Sequence, residues 1–372
     1  MARTKLGLIV NPIAGMGGKV GLKGTDGAAI LAEARRRGAE PVAAERSLRA
    51  LKRLLFLEAT FALVTCPGAM GGDVAAKLGV HATEIARAPR RETAAEDTRA
   101  AAAEMMRSGV DVILFAGGDG TARDIYGVVG RSCPILGIPT GVKMHSGVFA
   151  TSPESAGEIA AEFCHADRPP LRDAEIMDVD EAAMREGRLS PHLHGYARVP
   201  ETRHRVQNAK AGAVASDDEA LEALAGEIAA AMPRERLHIL GPGTTVQRIK
   251  RRLGGGTLLG IDAALDGALI GTDLNEAQIL ALMDRWPATI IVGVIGGQGY
   301  VFGRGNQPIS AEVIRRAGRD NIIVLGGAGK LLALDPPCLR VDTGDEAVDH
   351  LLSGHLRVRT GPQQAMIVKV AA

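Results

Sequence analysis

Aromatic side chains are scarce in this chain: one Trp, three Tyr and six Phe make up 3% of it. A core with so few rings must be built from Ala, Leu, Ile and Val. Cysteine is also sparse. Cys66, Cys133, Cys164 and Cys338 are scattered, with no CxxC pair and no His at zinc spacing. That excludes a disulfide framework or a zinc ribbon and reads as buried free thiols in a reducing compartment. Neither charge sign is in excess, since 44 Lys and Arg face 43 Asp and Glu. A global electrostatic partner such as nucleic acid or an anionic membrane is therefore not implied. The basic clusters at 35–37 and 248–252 read as solvated helix faces. No window approaches the roughly 18 apolar residues of a membrane helix, and the apolar stretch at 6–10 is too short for a signal peptide. A soluble, cytoplasmic protein is expected.

What is abundant is glycine, 47 residues in 372, within an ordinary balance of 46% hydrophobic and 23% charged residues. Tight turns and close backbone approaches follow, and the length suits two domains. The most informative glycines are in Val112-Ile113-Leu114-Phe115-Ala116-Gly117-Gly118-Asp119-Gly120-Thr121. An apolar strand runs into a Gly-rich turn that opens a helix. The glycines let a ligand approach, and the unpaired N–H groups of the first helical turn favour an anion. Asp119 is out of place beside an anion unless it handles a proton or a metal next to a phosphate. Phosphoryl transfer asks for that set of parts: backbone donors from Gly117, Gly118, Gly120 and Thr121, and a carboxylate that orients or deprotonates a hydroxyl. The competing reading is a structural turn in which Asp119 caps the helix.

Short apolar strands alternate with helices through the first half. Strands are expected over 5–10, 59–65, 110–116 and 134–139, and helices over 27–37, 72–78, 93–107, 126–129 and 152–164. This alternation indicates a doubly wound parallel sheet, whose ligands bind at the carboxyl ends of its strands. Two further turns fall at such ends. Asn11-Pro12-Ile13-Ala14-Gly15 continues to Gly17-Gly18-Lys19, but Ile13 and Val20 break both the Walker and the dinucleotide spacings. Thr140-Gly141-Val142-Lys143-Met144-His145-Ser146 gathers a cation, an imidazole and a hydroxyl, and Lys143 can neutralise a phosphate. Character changes near Arg168-Pro169-Pro170, which places the domains at 1–168 and 169–372. The second half has strands expected over 172–180, 191–199, 237–240, 258–264, 288–295, 321–325 and 365–370. A turn falls at Glu186-Gly187, and helices are expected over 217–232, 246–252 and 275–283.

Asn11-Pro12-Ile13-Ala14-Gly15 together with Gly117-Gly118-Asp119-Gly120-Thr121 resembles the superfamily of NAD kinases, diacylglycerol kinases and sphingosine kinases. Thr121-Ala122-Arg123-Asp124-Ile125 points to the ATP-NAD kinase-like branch that includes the acetoin-catabolism protein X. Gly18 to Gly27, Gly137 to Ser146 and Gly296-Gly297-Gln298-Gly299-Tyr300-Val301-Phe302-Gly303-Arg304-Gly305-Asn306 agree with that branch. The resemblance spans nearly the whole chain. It implies a Rossmann-like nucleotide-binding domain followed by a β-rich substrate domain that closes over the cleft, and a homo-oligomer. Asp119 would be the catalytic base beside the 2′-hydroxyl of the adenosine ribose. Gly117, Gly118, Gly120 and Thr121 would cradle phosphates, and Asn11 would line the donor pocket. Gly297, Gln298 and Gly299 would belong to the substrate loop.

The expected reaction moves the γ-phosphoryl of ATP, or of polyphosphate, to NAD, giving NADP. Mg²⁺ would be held largely by the phosphates rather than by a protein cage. Arg123 or Lys143 would offset phosphate charge, His145 and Ser146 would contact substrate, and Asp124 would serve either as a partner of Arg123 or as a metal contact. The chain departs from the better-known NAD kinases at Arg123-Asp124 and at Gly297-Gln298-Gly299, and Asn275-Glu276 lies at an expected helix start, outside any adenine-binding role. Two other readings stay open: a kinase of the same scaffold for another small-molecule hydroxyl, and a non-catalytic nucleotide-binding accessory protein of acetoin catabolism.

Overall fold

In the computed structural model the first apolar run forms β1 (Thr4–Val10), the middle strand of a parallel sheet. The structure describes residues 3–18, 20–22, 28–85, 93–140, 144–167, 169–179, 191–201, 215–295, 299–334 and 336–371. The chain divides into two units, Met1–Met16 with Gly24–Ala209, and Gly17–Lys23 with Lys210–Ala372.

In the first unit, β2 (Phe61–Thr65), β3 (Ala82–Glu84), β4 (Val112–Gly117) and β5 (Ile135–Pro139) join β1 in the order β3-β2-β1-β4-β5. Every pairing is parallel. The helices are α1 (Ala28–Arg36), α2 (Ala43–Phe56), α3 (Gly72–Lys77), α4 (Ala95–Arg107), α5 (Asp119–Val129) and α6 (Pro153–His165). Successive strand residues point to opposite faces, and here both faces are covered. Leu6, Leu8, Val10, Leu114 and Ala116 pack with Leu51 and Leu54 of α2 and Ile159 of α6. Ile9, Ile113 and Phe115 pack with Met105 of α4 and Ile125 of α5. Burial on both sides is why these strands read as continuous apolar runs rather than alternating ones.

Helix α2 is an addition to the sequence reading. Its buried positions, Ala43, Ser47, Ala50, Leu51 and Leu54, repeat at helical spacing, but Ala and Ser make the stripe faint. An antiparallel pair, β6 (Leu171–Val179) and β7 (Pro191–Pro200), also belongs to this unit. Ala174, Ile176, Ala197 and Val199 of that pair complete the core against α4 and α5. The turn expected at Glu186-Gly187 lies outside the described residues.

The second unit is β-rich. It contains α7 (Ala215–Ala230), β8 (Leu237–Leu240), α8 (Thr244–Arg252), β9 (Asp262–Leu265), β10 (Ala268–Gly271), α9 (Glu276–Met283), β11 (Ala288–Gly293) and β12 (Tyr300–Phe302). It continues with α10 (Ala311–Ala317), β13 (Ile322–Leu325), α11 (Ala328–Leu332), β14 (Cys338–Val341), α12 (Glu346–Leu352), β15 (Gly354–Gly361) and β16 (Gln364–Ala371). Nine strands form one mixed sheet in the order β10-β9-β8-β11-β13-β15-β16-β14-β12. The turn at Asp266-Gly267 has both residues at positive φ, 51° and 80°, the backbone a tight hairpin between β9 and β10 needs.

Two expectations are corrected here. The strand expected over 258–264 begins only at Asp262. The Lys250 ammonium draws the carbonyls of Thr257 and Gly260 to 2.8 and 2.9 Å, and Gly243 N–H donates to Leu258 O. Those bonds hold 257–260 as a loop. The same lysine corrects the reading of 248–252 as a solvated face: Lys250 is fully buried and pairs with the equally buried Asp262 at 3.0 Å. The Asp262 carboxylate also accepts from Thr257 N, Thr257 Oγ1 and Asp273 N. Asn275, set aside above, caps α9: its side chain accepts from Gln278 N–H, and the Gln278 side chain accepts from Asn275 N–H. All four cysteines are free thiols. Burial pushes Cys66, Cys133 and Cys164 up to about 11, so these three are unreactive near neutrality.

Candidate active site

In the first unit the strand order runs outward from β1 through β2 to β3, and from β4 to β5 on the other side. The direction of winding reverses between β1 and β4. The crevice outside the carboxyl ends at such a reversal is where open α/β sheets bind ligands. Asn11 follows β1 there, and Gly118-Asp119 follows β4.

The two turns are bonded to each other. Asn11 N–H donates to Ala116 O at 2.9 Å, and the Asn11 side-chain amide donates to Thr121 Oγ1 at 3.0 Å. Its carbonyl oxygen accepts from Ile13 N–H at 3.3 Å, the self-bonding that makes Asn a turn former. Gly15, at φ 82°, packs so closely on the end of β5 that a Cβ would lie 2.4 Å from Thr140 O. The ends of β1, β4 and β5 therefore converge. The remainder of the glycine turn after β1 groups differently: Gly17–Lys23 belongs to the second unit, where a Cβ on Gly18 would lie 3.1 Å from Gln307 Cγ.

The glycines of the central motif have different reasons to be glycine. A Cβ on Gly117 would fall 2.4 Å from Thr121 Cβ, so the fold itself requires it. At Gly118 a Cβ would meet nothing among the described residues within 4 Å, and the backbone is extended at φ −111°. Neither packing nor conformation demands glycine there, but a ligand approaching the start of α5 would. Gly118 is the N-cap of α5 and has no capping side chain, so this helix start keeps the field of its macrodipole for an anion. Gly120 sits in the same first turn.

Asp119 is the first residue of α5. Its carboxylate reaches across to the loop after β5 and accepts from His145 N–H at 2.7 Å and Ser146 N–H at 2.9 Å. Charge-assisted bonds to one oxygen each fix the plane of the group. Ser146 is fully buried, and its hydroxyl bonds the backbone of Met177 on β6. Gly147 N–H donates to Glu175 O at 2.8 Å, and Arg172 donates to Gly147 O at 3.2 Å. Burial holds the Arg172 guanidinium below its ordinary value, against the opposing pull of Glu175 and Glu201.

Arg123 and Asp124 diverge. Arg123 lies one turn past Asp119 on the side that leads to Tyr126, whose ring meets His194 of β7 at 6.1 Å. The Asp124 carboxylate instead accepts from Arg99 of α4 at 2.7 Å, and that arginine also binds Glu96. Of the expected site residues, Asn11, Gly117, Gly118, Asp119, Gly120, Thr121, Arg123, His145 and Ser146 gather around the end of β4. Gly299 lies in the second unit, where Arg340 N–H donates to its carbonyl at 2.8 Å. Lys143, Gly297 and Gln298 lie outside the described residues. The sequence reading singled out Gly15 only as part of the turn after β1, and missed Arg99, Glu175 and Met177. Only Gly15, within a glycine-rich turn at a strand end, carries a local signal.

The ATP-NAD kinase N-terminal domain matches residues 6–168, and the ATP-NAD kinase C-terminal domain matches residues 234–370. No protein with a curated description matches the chain. With both domains matched in order, and the first spanning the carboxyl ends of β1, β4 and β5 where Asn11, Asp119 and Ser146 lie, the chain belongs to the ATP-NAD kinase family.

Proposed function

We propose that this protein transfers the γ-phosphoryl of ATP, or a phosphoryl of polyphosphate, to the 2′-hydroxyl of NAD, making NADP. The observation that carries this reading is the Asp119 carboxylate, oriented by two backbone N–H groups next to the open helix start at Gly118. Asp119 takes the proton of the attacking hydroxyl as its oxygen bonds to phosphorus and the bond to the leaving phosphate breaks. Backbone N–H groups of the first turn of α5 face the phosphates. Arg123 and Lys143 offset phosphate charge and His145 contacts substrate; in the second unit the family resemblance assigns Gly297, Gln298 and Gly299 to substrate binding. Among the described residues no three His, Cys, Asp or Glu side chains converge. Mg²⁺ would be held largely by the donor phosphates rather than by a protein cage, and would supply charge neutralisation there.

The family supports small nucleotides as ligands, and a cytoplasmic homo-oligomer is part of the same proposal. No helix among the described residues is long and apolar enough to cross a membrane. A second reading, a kinase of the same scaffold for another small-molecule hydroxyl, rests on the departure from better-known NAD kinases at Arg123-Asp124. The test incubates purified protein with NAD, Mg²⁺ and either ATP or polyphosphate and measures NADP. No NADP with either donor rejects the proposal. Donor consumption with a different hydroxyl compound would support the second reading, and tight NAD binding without turnover would support an accessory protein.

A further inference from the structure

Ser146 was expected to touch substrate, yet it is fully buried. Its hydroxyl accepts from Met177 N–H at 2.9 Å and donates to Met177 O at 3.3 Å. Backbone groups two residues apart point to the same edge of a strand, and Glu175 O takes the next bond along that edge, from Gly147 N–H. The β6–β7 register shifts between Ile176 and Met177, so the serine bonds a point where the ladder is irregular. The side chain thus stands in for a strand partner and clamps the loop 144–147 to β6. The same residue's N–H holds one Asp119 oxygen, and its neighbour's N–H holds the other.

Building on the phosphotransferase reading, we infer that Ser146 is a positioning residue: its hydroxyl anchors the loop to Met177, and the anchored loop aims the Asp119 carboxylate. Removing the hydroxyl leaves the nucleotide contacts in place but loosens the group that must meet the acceptor hydroxyl. Small misplacements of a reacting group are costly: an error near 1 Å can lose about 100-fold in rate.

The test compares Ser146→Ala, Ser146→Thr and Ser146→Cys in the full-length protein. Ser146→Ala is expected to lower kcat about 10- to 100-fold while KM for both substrates stays within about twofold, and Ser146→Thr to recover most of the loss. If Ser146→Ala folds poorly, Ser146→Cys offers a second variant, in which a slightly larger thiol replaces the hydroxyl with a weak donor and acceptor, and it is read in the same way. In an Asp119→Asn background, Ser146→Ala should cost nothing further, because the two act as a unit. A spectroscopic readout does not depend on turnover. The amide resonance of His145 should move in Ser146→Ala toward its position in Asp119→Asn. Unchanged kcat with an unmoved His145 amide in a folded variant overturns the inference, as does a fully additive double variant. Absence of turnover in the unmodified protein rejects the proposed reaction instead, and the amide shift then decides the role of Ser146 by itself.

Discussion

The Asn11 side-chain amide donates to the Thr121 hydroxyl at 3.0 Å, so the turn after β1 and the first turn of α5 are held together across the reversal of the sheet. Thr121 is buried, and its closeness is what forbids a side chain on Gly117. Asn11→Ala removes this bond and the one to Ile13. Unfolding by denaturant should show a loss of about 1–2 kcal/mol, and KM for the phosphoryl donor should rise. A wild-type KM would show that the bond matters to the fold alone.

Gly117 and Gly118 offer a sharper contrast. Gly117→Ala places a methyl against Thr121 and should destabilise by about 1–3 kcal/mol, as overpacking does. Gly118→Ala meets nothing and keeps an allowed φ. Its stability should change by no more than about 1 kcal/mol, because the gain from a stiffer unfolded chain is opposed by alanine's poorer fit at an N-cap, while calorimetric titration with nucleotide should show weakened binding. A Gly118→Ala protein that binds normally would remove Gly118 from the ligand site.

Asp119→Asn keeps the shape and places an amide among the loop N–H groups. Loss of the base is expected to reduce turnover about 10²–10⁴-fold, with nucleotide binding retained. NADP formation at the wild-type rate would end the assignment of Asp119 as base and leave the kinase reading standing.

The buried Lys250–Asp262 pair predicts a large and coupled effect in the second unit. Lys250→Met strands a carboxylate that has no exposure, and thermal unfolding should report a loss of about 3–5 kcal/mol. Replacing both partners with apolar residues should cost clearly less than the two single changes added together. Strict additivity would argue that loop packing, not charge, sets the cost.

His238, buried on β8, gives a pH dependence. Burial first, and then Arg236, hold its pKa below the ordinary 6.5. The unfolded chain therefore binds a proton at a pH where the folded one does not. Stability from this residue is present above about pH 6.5 and is lost as pH falls below it. Melting curves between pH 8 and pH 5 should flatten in His238→Leu. An unaltered slope would assign the acid sensitivity to other groups.

The sequence by itself determined what depends on neighbours along the chain. Apolar runs closed by turn residues, Asn11-Pro12, Gly117-Gly118 and Pro139-Thr140-Gly141, marked β1, β4 and β5, and their alternation with helices made the sheet parallel and doubly wound. Glycines beside an acidic residue at a helix start marked Asp119. Faint stripes such as that of α2 were less legible, because small buried residues carry little hydrophobic contrast. Only the tertiary structure decided what each polar group meets. Asp119 bonds Ser146, 27 residues away; Asp124 pairs with Arg99, 25 away; and Ser146 turns from the ligand to Met177, 31 away. Gly117 and Gly118 look alike in the sequence, yet one is demanded by Thr121 and the other by nothing among the described residues. The physical reason is common to all of these. Periodicity and turn chemistry act over a few residues, whereas a hydrogen bond across strand ends exists only once the sheet order has brought those ends together.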